Sequence, residues 1–212
     1  MSSYFGLLSV SGVDAKRFLQ GQLTCNLDDL STSQSQLGAH CNPAGRVISL
    51  FRLFLYQDAY YLQMPKLMVP IAITALKKYV VFFKASLADA SERINDLAEY
   101  CRPEPMETWH YLDVMAGIPA IYPETSEKFL PHDLNLPQLN AVSFNKGCYT
   151  GQEIIARMHY RGKLKKQLCR LSLSTDLPLQ RGQSIEQGTL VDYCQTGYNT
   201  YEILVITNET DK

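Results

Sequence analysis

The chain of 212 residues has little that would take it into a membrane. Its apolar run Leu67–Leu76 is broken by Pro70 and Thr74, and a bilayer-crossing helix needs ~20 apolar residues. It also lacks a charge bias. With 20 Lys and Arg against 21 Asp and Glu, the net charge is -1, which argues against a globally basic nucleic-acid binder but leaves room for a local basic patch. No C-x-x-C pair and no Cys/His zinc spacing occurs among the cysteines at 25, 41, 101, 148, 169 and 194. Met1–Leu8 carries no basic leader, so the expectation is a cytoplasmic protein with reduced thiols. No G-x-S-x-G, P-loop or G-x-G-x-x-G is present, and no repeat or low-complexity tract. Tryptophan is scarce too: Trp109 stands alone. What remains is ordinary globular composition, 46% hydrophobic and 19% charged, long enough to build its own core.

Strands interleave with helices without regular βαβ alternation, which predicts an α+β fold. Ser11 and Asp14 suit a capped helix start, with Val13, Phe18 and Leu19 as its buried face up to Gly21. Residues 35–41, 46–56 and 59–64 predict an antiparallel meander, its first turn made by Asn42-Pro43-Ala44-Gly45. Pro70 suits the first turn of a helix to Tyr79, and Ala85–Asp89 a returning strand. Ile94, Leu97 and Ala98 give an amphipathic helix over Ser91–Cys101, and Thr108 caps another over Trp109–Met115. Residues 122–140 predict an ordered loop. Short strands follow at 167–173, 189–193 and 202–207, so the chain divides into a core over residues 1–162 and a short β-barrel-like lobe over 163–212.

The densest chemical signal is Lys146-Gly147-Cys148-Tyr149-Thr150-Gly151-Gln152-Glu153. Two glycines permit tight turns around the cysteine, and Glu153–Met158 predicts a short helix. A thiol ahead of a helix N-terminus and beside a lysine meets two conditions that favour thiolate. Thiolate is what a nucleophile, a sulfur carrier or a soft-metal ligand needs, whereas the bland alternative is a small buried thiol in a turn. His40 and Cys41 are adjacent but point to opposite faces of a strand. His132-Asp133 could be an orienting pair or a capped loop.

Arg157, Arg161, Lys163, Lys165, Lys166 and Arg170 follow within 14 residues, and no Asp or Glu occurs from Ile154 through Thr175. This run is either an anion-binding patch or a solvated face.

The K-G-C-Y-T-G-Q-E run, with Ala156-Arg157 and Arg161-Gly162 after it, resembles the signature of YgfZ-type folate-binding proteins, relatives of the glycine-cleavage T-protein. Gly12-Val13-Asp14-Ala15, Phe18–Thr24, Pro43–Arg46, Ala116–Pro119, Phe129-Leu130-Pro131 and Asn135-Leu136 extend the resemblance over most of the chain. It implies small α+β lobes around a central folate cavity, tetrahydrofolate or a derivative as cofactor, and an accessory role toward iron–sulfur enzymes, including ones that modify tRNA. It places an aromatic pair of the folate pocket at Phe5 and Trp109, with Arg157 and Arg161 as anion partners. It places Cys148 as the functional thiol within Lys146, Gly147, Tyr149, Gly151, Gln152 and Glu153. The carboxylate that assists aminomethyl transfer in the T-protein falls, by register from Gly45, on Ile48 or Ser49, so that acid is absent.

Three functions therefore compete. One is a non-enzymatic folate-binding accessory factor for iron–sulfur client or assembly proteins. Another is a folate-dependent one-carbon transferase, for which Asp28, Asp29 and Glu153 are candidate acids. The last is an RNA-interaction module using the 157–170 run.

Overall fold

The computed structural model describes residues 4–31, 34–97, 99–100, 106–162 and 166–208. In chain order the strands and helices are β1 (Phe5–Ser11), α1 (Ala15–Gln20), β2 (Gln36–Cys41), β3 (Val47–Tyr56), β4 (Ala59–Pro65), α2 (Val69–Val80) and β5 (Ser86–Asp89). Then follow α3 (Met106–Met115), α4 (Gln152–Arg161), β6 (Lys166–Ser174), β7 (Ser184–Ile185), β8 (Gly188–Gly197) and β9 (Thr200–Asn208). Two antiparallel sheets with flanking helices make this an α+β fold. The first sheet has strand order β2-β3-β4-β1-β5, the second β6-β9-β8-β7.

The meander β2-β3-β4 lies where the alternating pattern puts it, and α2 starts with Pro70 in its first turn, burying Val69, Ala72 and Leu76. β1 is a strand that sequence reading missed. It pairs with β4 along its whole length and with β5 on its other edge. Leu7, Leu8 and Val10 are all fully buried, and the adjacent Leu7 and Leu8 cover both faces, so the alternation is confined to the short stretch Leu8–Ser11.

Two expectations are corrected here. α1 begins at Ala15, and Ser11 does not cap it: the Ser11 hydroxyl pairs with that of Ser86. The start of the helix is held instead by Asp14, whose carboxylate accepts from Lys84 N while Asp14 N donates to Lys84 O. That contact turns Val13 outward to 86% exposure rather than into the core. The helix expected over Ser91–Cys101 is, in its described part, a 3-10 turn at Ser91–Arg93 followed by further turns. Ile94 and Leu97 are nevertheless buried, in a cluster with Leu7, Phe54 and Tyr61. Ala98 and Cys101 lie outside the described residues.

Residues 122–140 form the ordered loop that their composition predicts. Glu127 N donates to Val47 O and Val47 N donates to Phe129 O, so the loop pairs with the start of β3. Phe129, Leu134 and Leu136 then enter the main core. Among the described residues no helix is long and apolar enough to cross a membrane.

Candidate functional site

Three sequence motifs meet at the cysteine loop. Gly151 is the N-cap of α4 with φ 84°. A Cβ there would lie 2.6 Å from Asn42 O and 3.0 Å from Gly45 Cα, so only glycine lets the loop close on the β2–β3 turn. Gly45 in turn, with φ 74°, receives Ile154 of α4. Thr150 N donates to Gly21 O, and the Thr150 hydroxyl donates to Gln22 Oε1 at 3.1 Å. Lys146 Nζ donates to Leu23 O at 2.8 Å and Cys25 O at 2.7 Å. Segments 18–25, 42–46 and 146–154 thus form one unit.

Within that unit Cys148 is exposed, whereas Cys25, Cys41 and Cys194 are buried and Cys169 is intermediate. Tyr149, next to it, points inward and is 6% exposed. Burial pushes the Tyr149 phenol up, with the Cys41 thiol adding to it, and burial raises Cys41 as well. Lys146 does not serve as the cation beside Cys148 that its sequence position suggested. Its ammonium is taken by the two carbonyls and lies 5.2 Å from the Tyr149 ring centre. Burial pulls Lys146 down to about 8, and burial pushes Cys25 up to about 11. Gly147 is open, Gln152 starts α4, and Glu153 pairs with Arg157 at 2.7 Å on the exposed side of the helix.

Of the folate-pocket candidates, Phe5 stands at a cleft on the first sheet. Phe5, Arg52, Gln63 and Asp113 line a narrow space of about 40 Å³ walled by Leu50 and Ile118. Arg52 donates to Asp113 at 2.8 Å. The space adjoins an outer cleft of about 490 Å³ through Leu37 and Arg52, where Asp29, Gln36 and Leu139 stand. Trp109 is half-buried on α3, one turn before Asp113, and does not line the narrow space. Arg157 and Arg161 belong to α4 and line neither cleft. Asp28 is paired with Lys16 at 2.8 Å on the surface. Asp133 caps the loop by accepting from Leu130 N, and His132 beside it is buried without a hydrogen-bond partner. Ile48 and Ser49, where the T-protein acid would fall, are both buried in β3.

A buried polar cluster next to this cleft escaped sequence reading. Asp192 of β8 is completely buried. It accepts from Arg181 Nε at 2.8 Å, His110 Nε2 at 3.1 Å, Tyr122 OH at 3.3 Å and Tyr193 N at 2.9 Å. Tyr122 also bonds Tyr4, and the Arg181 guanidinium lies 3.7 Å over the Tyr122 ring centre. Burial and Asp192 together hold the Tyr122 phenol well above its usual range. Tyr4 precedes Phe5, and His110 stands on α3 with Asp113, so this cluster ties both of those lining residues to the second sheet. No local spacing could have signalled it, since its members are spread from residue 4 to residue 192.

No family profile matches the chain. Relatives by sequence do. An uncharacterized protein of Haemophilus influenzae is 31% identical, with the match covering 91% of this chain and 80% of that protein. The tRNA-modifying protein YgfZ of Vibrio vulnificus is 30% identical over 79% of this chain and 67% of its own. That of Colwellia psychrerythraea is 29% identical over 87% and 74%. By structure, the glycine cleavage system aminomethyltransferase T from Bartonella henselae superposes with a TM-score of 0.67, covering 98% of this chain and 77% of that one at 14% identity, which establishes a shared fold. The cysteine loop, the motifs that converge on it and these relatives agree: the chain shares the fold of the T-protein, and it belongs to the YgfZ family.

Proposed function

We propose that this chain is a folate-binding accessory protein that supports iron–sulfur cluster assembly or repair in client enzymes, tRNA-modifying ones among them, with Cys148 as its working thiol. The observation that carries the reading is the cysteine loop. Most cysteines described are at least partly withdrawn from water, yet Cys148 is exposed on a loop tethered by Lys146, Thr150 and Gly151. A thiol presented rigidly to the outside can meet a macromolecular client, which a buried thiol cannot.

The lining of the Phe5 cleft suits a pterin chemically. Asp113 and Gln63 offer acceptors to an amino-pyrimidinone edge, and Phe5 offers an aromatic face. The narrow space of about 40 Å³ is far below the ~300–1,000 Å³ of ordinary ligand sites, and the outer cleft of about 490 Å³ supplies the room. Bound there, folate would supply a one-carbon carrier or a signal of folate supply. Phe5, Arg52, Gln63 and Asp113 would hold its ring system, with Trp109 as the neighbouring indole. The two sites are separate on this reading, the thiol outside and the folate within.

Two measurements test it together. Tetrahydrofolate should quench Trp109 fluorescence with saturation, and timed alkylation read by peptide mass spectrometry should label Cys148 first. In a strain lacking the protein, Cys148→Ser should fail to restore iron–sulfur tRNA-methylthiolating activity while binding folate normally. Full complementation by Cys148→Ser sinks the thiol. Absence of any saturable quench at about 1 mM ligand, corresponding to less than ~4 kcal/mol of binding, sinks the folate site. Conversion of tetrahydrofolate and a one-carbon donor to product would favour the transferase instead.

A further inference from the structure

A third cleft, of about 630 Å³, opens between the β2–β3 turn, the 127–133 loop, α4 and the second sheet. Its size matches small-molecule sites. Three basic residues line it from three separate segments: Arg46 from the turn, Lys128 from the loop, its ammonium near Gly182, and Lys166 from the start of β6. Among the described residues none of them is in an ion pair. Arg46 spends one nitrogen on Lys128 O at 2.5 Å, which leaves the rest of its fork unengaged.

Two carboxylates are also present, but both are turned to neutral donors. Glu127 Oε2 accepts from Asn42 Nδ2 at 2.7 Å, and Asp133 Oδ2 accepts from Leu130 N at 2.9 Å. The lining thus carries three positive groups against two negative ones, none of them joined in a direct pair among the described residues, and nets one positive charge. Glu127 further holds φ 62°, a left-handed conformation that costs of order 1 kcal/mol in a residue with a side chain. The backbone pairing of the loop with Val47 keeps it there. Phe129, Leu130, Met158 and Ile206 are the apolar part of the lining.

Basic groups, carboxylate acceptors and apolar side chains in one cleft make up the complement of one molecular unit. We propose that this cleft binds a nucleoside phosphate, free or as part of a single-stranded RNA. The phosphate lies on Arg46, Lys128 and Lys166, the sugar hydroxyls donate to the remaining oxygens of Glu127 and Asp133, and the base rests on Met158 and Phe129. Arg161 is three residues past Met158 and so shares its face of α4, ready for a second phosphate if the ligand is a strand. The site is independent of the folate reading, since it shares no residue with the Phe5 cleft or its outer extension.

The test uses the full chain. Calorimetry with adenosine monophosphate, adenosine and inorganic phosphate is joined by fluorescence anisotropy with a labelled short single-stranded RNA. Adenosine monophosphate should bind with saturation and at least about tenfold more tightly than adenosine or phosphate alone. Lys128→Gln and Lys166→Gln should each weaken it about tenfold, and neither side chain makes a hydrogen bond among the described residues, so folding is not at stake. Lys77→Gln, on exposed α2, should change nothing. RNA at least tenfold tighter than the mononucleotide, and weakened by Arg161→Gln, identifies a strand as the ligand; a smaller preference identifies a free nucleotide. No saturable binding of either probe up to about 10 mM, or binding unmoved in the Lys128→Gln/Lys166→Gln double variant, overturns the proposal. Tetrahydrofolate binding should be unaffected throughout, so failure here and failure of the folate reading are distinguishable.

Discussion

His40 should make the protein acid-sensitive, and removing it should help. Its ring is 1% exposed, beneath α2. Among the described residues neither ring nitrogen has a hydrogen-bond partner, and neither does the hydroxyl of Ser49, its cross-strand neighbour. Burial, then the positive charge of Lys78, pulls the imidazole down from 6.5 to about 4. The native state thus keeps His40 neutral while the unfolded chain takes up a proton below about pH 6.5. Stability is full above that value and is lost as pH falls toward about 4, where the native ring also protonates. At about 1.4 kcal/mol per pH unit the interval amounts to ~3 kcal/mol. His40→Leu removes this linkage and two unsatisfied nitrogens, each of which costs ~1–3 kcal/mol when buried unpaired. Urea unfolding of both proteins, at intervals from pH 7.5 to 4.5, isolates the effect, because every other group titrates in both. The variant should be at least as stable near pH 7.5 and should gain ~1 kcal/mol of advantage per pH unit below 6.5. Parallel curves would refute the reasoning, as would a neutral-pH loss above ~2 kcal/mol, which would mean that the imidazole is bonded after all.

Gly151→Ala should cost ~2–4 kcal/mol, since it adds left-handed strain to a contact 2.6 Å from Asn42 O, and should lower the melting temperature by several degrees. Gly147→Ala, whose Cβ would meet nothing within 4 Å, is the control and should cost under ~1 kcal/mol in the same calorimetric scan. Asp192→Ala leaves Arg181 buried without its carboxylate and should cost ~3–5 kcal/mol by denaturant unfolding. The double change Asp192→Leu with Arg181→Met should recover most of that; no recovery would show that the cluster is not held by this charge pair.

How much of the fold sequence shows depends on how local its cause is. The strands over 36–65 are legible because alternation and the Asn42–Gly45 turn are both short-range, and the structure reproduces them to within a residue or so. The segment after Ser91 misleads because its apolar spacing is helical while its backbone is claimed elsewhere. Ala90 N donates to Leu7 O, Ser91 N donates to Asp89 Oδ1, and the Ser91 hydroxyl accepts from Leu7 N. Those bonds carry the edge of β5 past its end, and side-chain acceptors near the backbone compete with a helix. The buried face survives, and the element does not. β1 fails for the opposite reason, because the adjacent buried Leu7 and Leu8 leave a period of only four residues, Leu8–Ser11, to detect.

The same distinction runs through the cysteine loop. The motif itself is legible, and so is the need for glycine at Gly151. The direction of Lys146 is not. Adjacent in sequence to Gly147 and Cys148, it suggests a cation set beside a thiol. In the folded chain its ammonium is instead drawn inward to the carbonyls of Leu23 and Cys25, more than a hundred residues away. Such a charge is costly to desolvate, and its fall to about 8 records that. A lysine held there at that cost acts as a tether: it fixes the loop to the 18–25 segment, while Gly151 fixes the other side to the β2–β3 turn. Cys148 is exposed between two anchored sides. Its presentation to a partner therefore follows from the backbone around it rather than from a neighbouring charge.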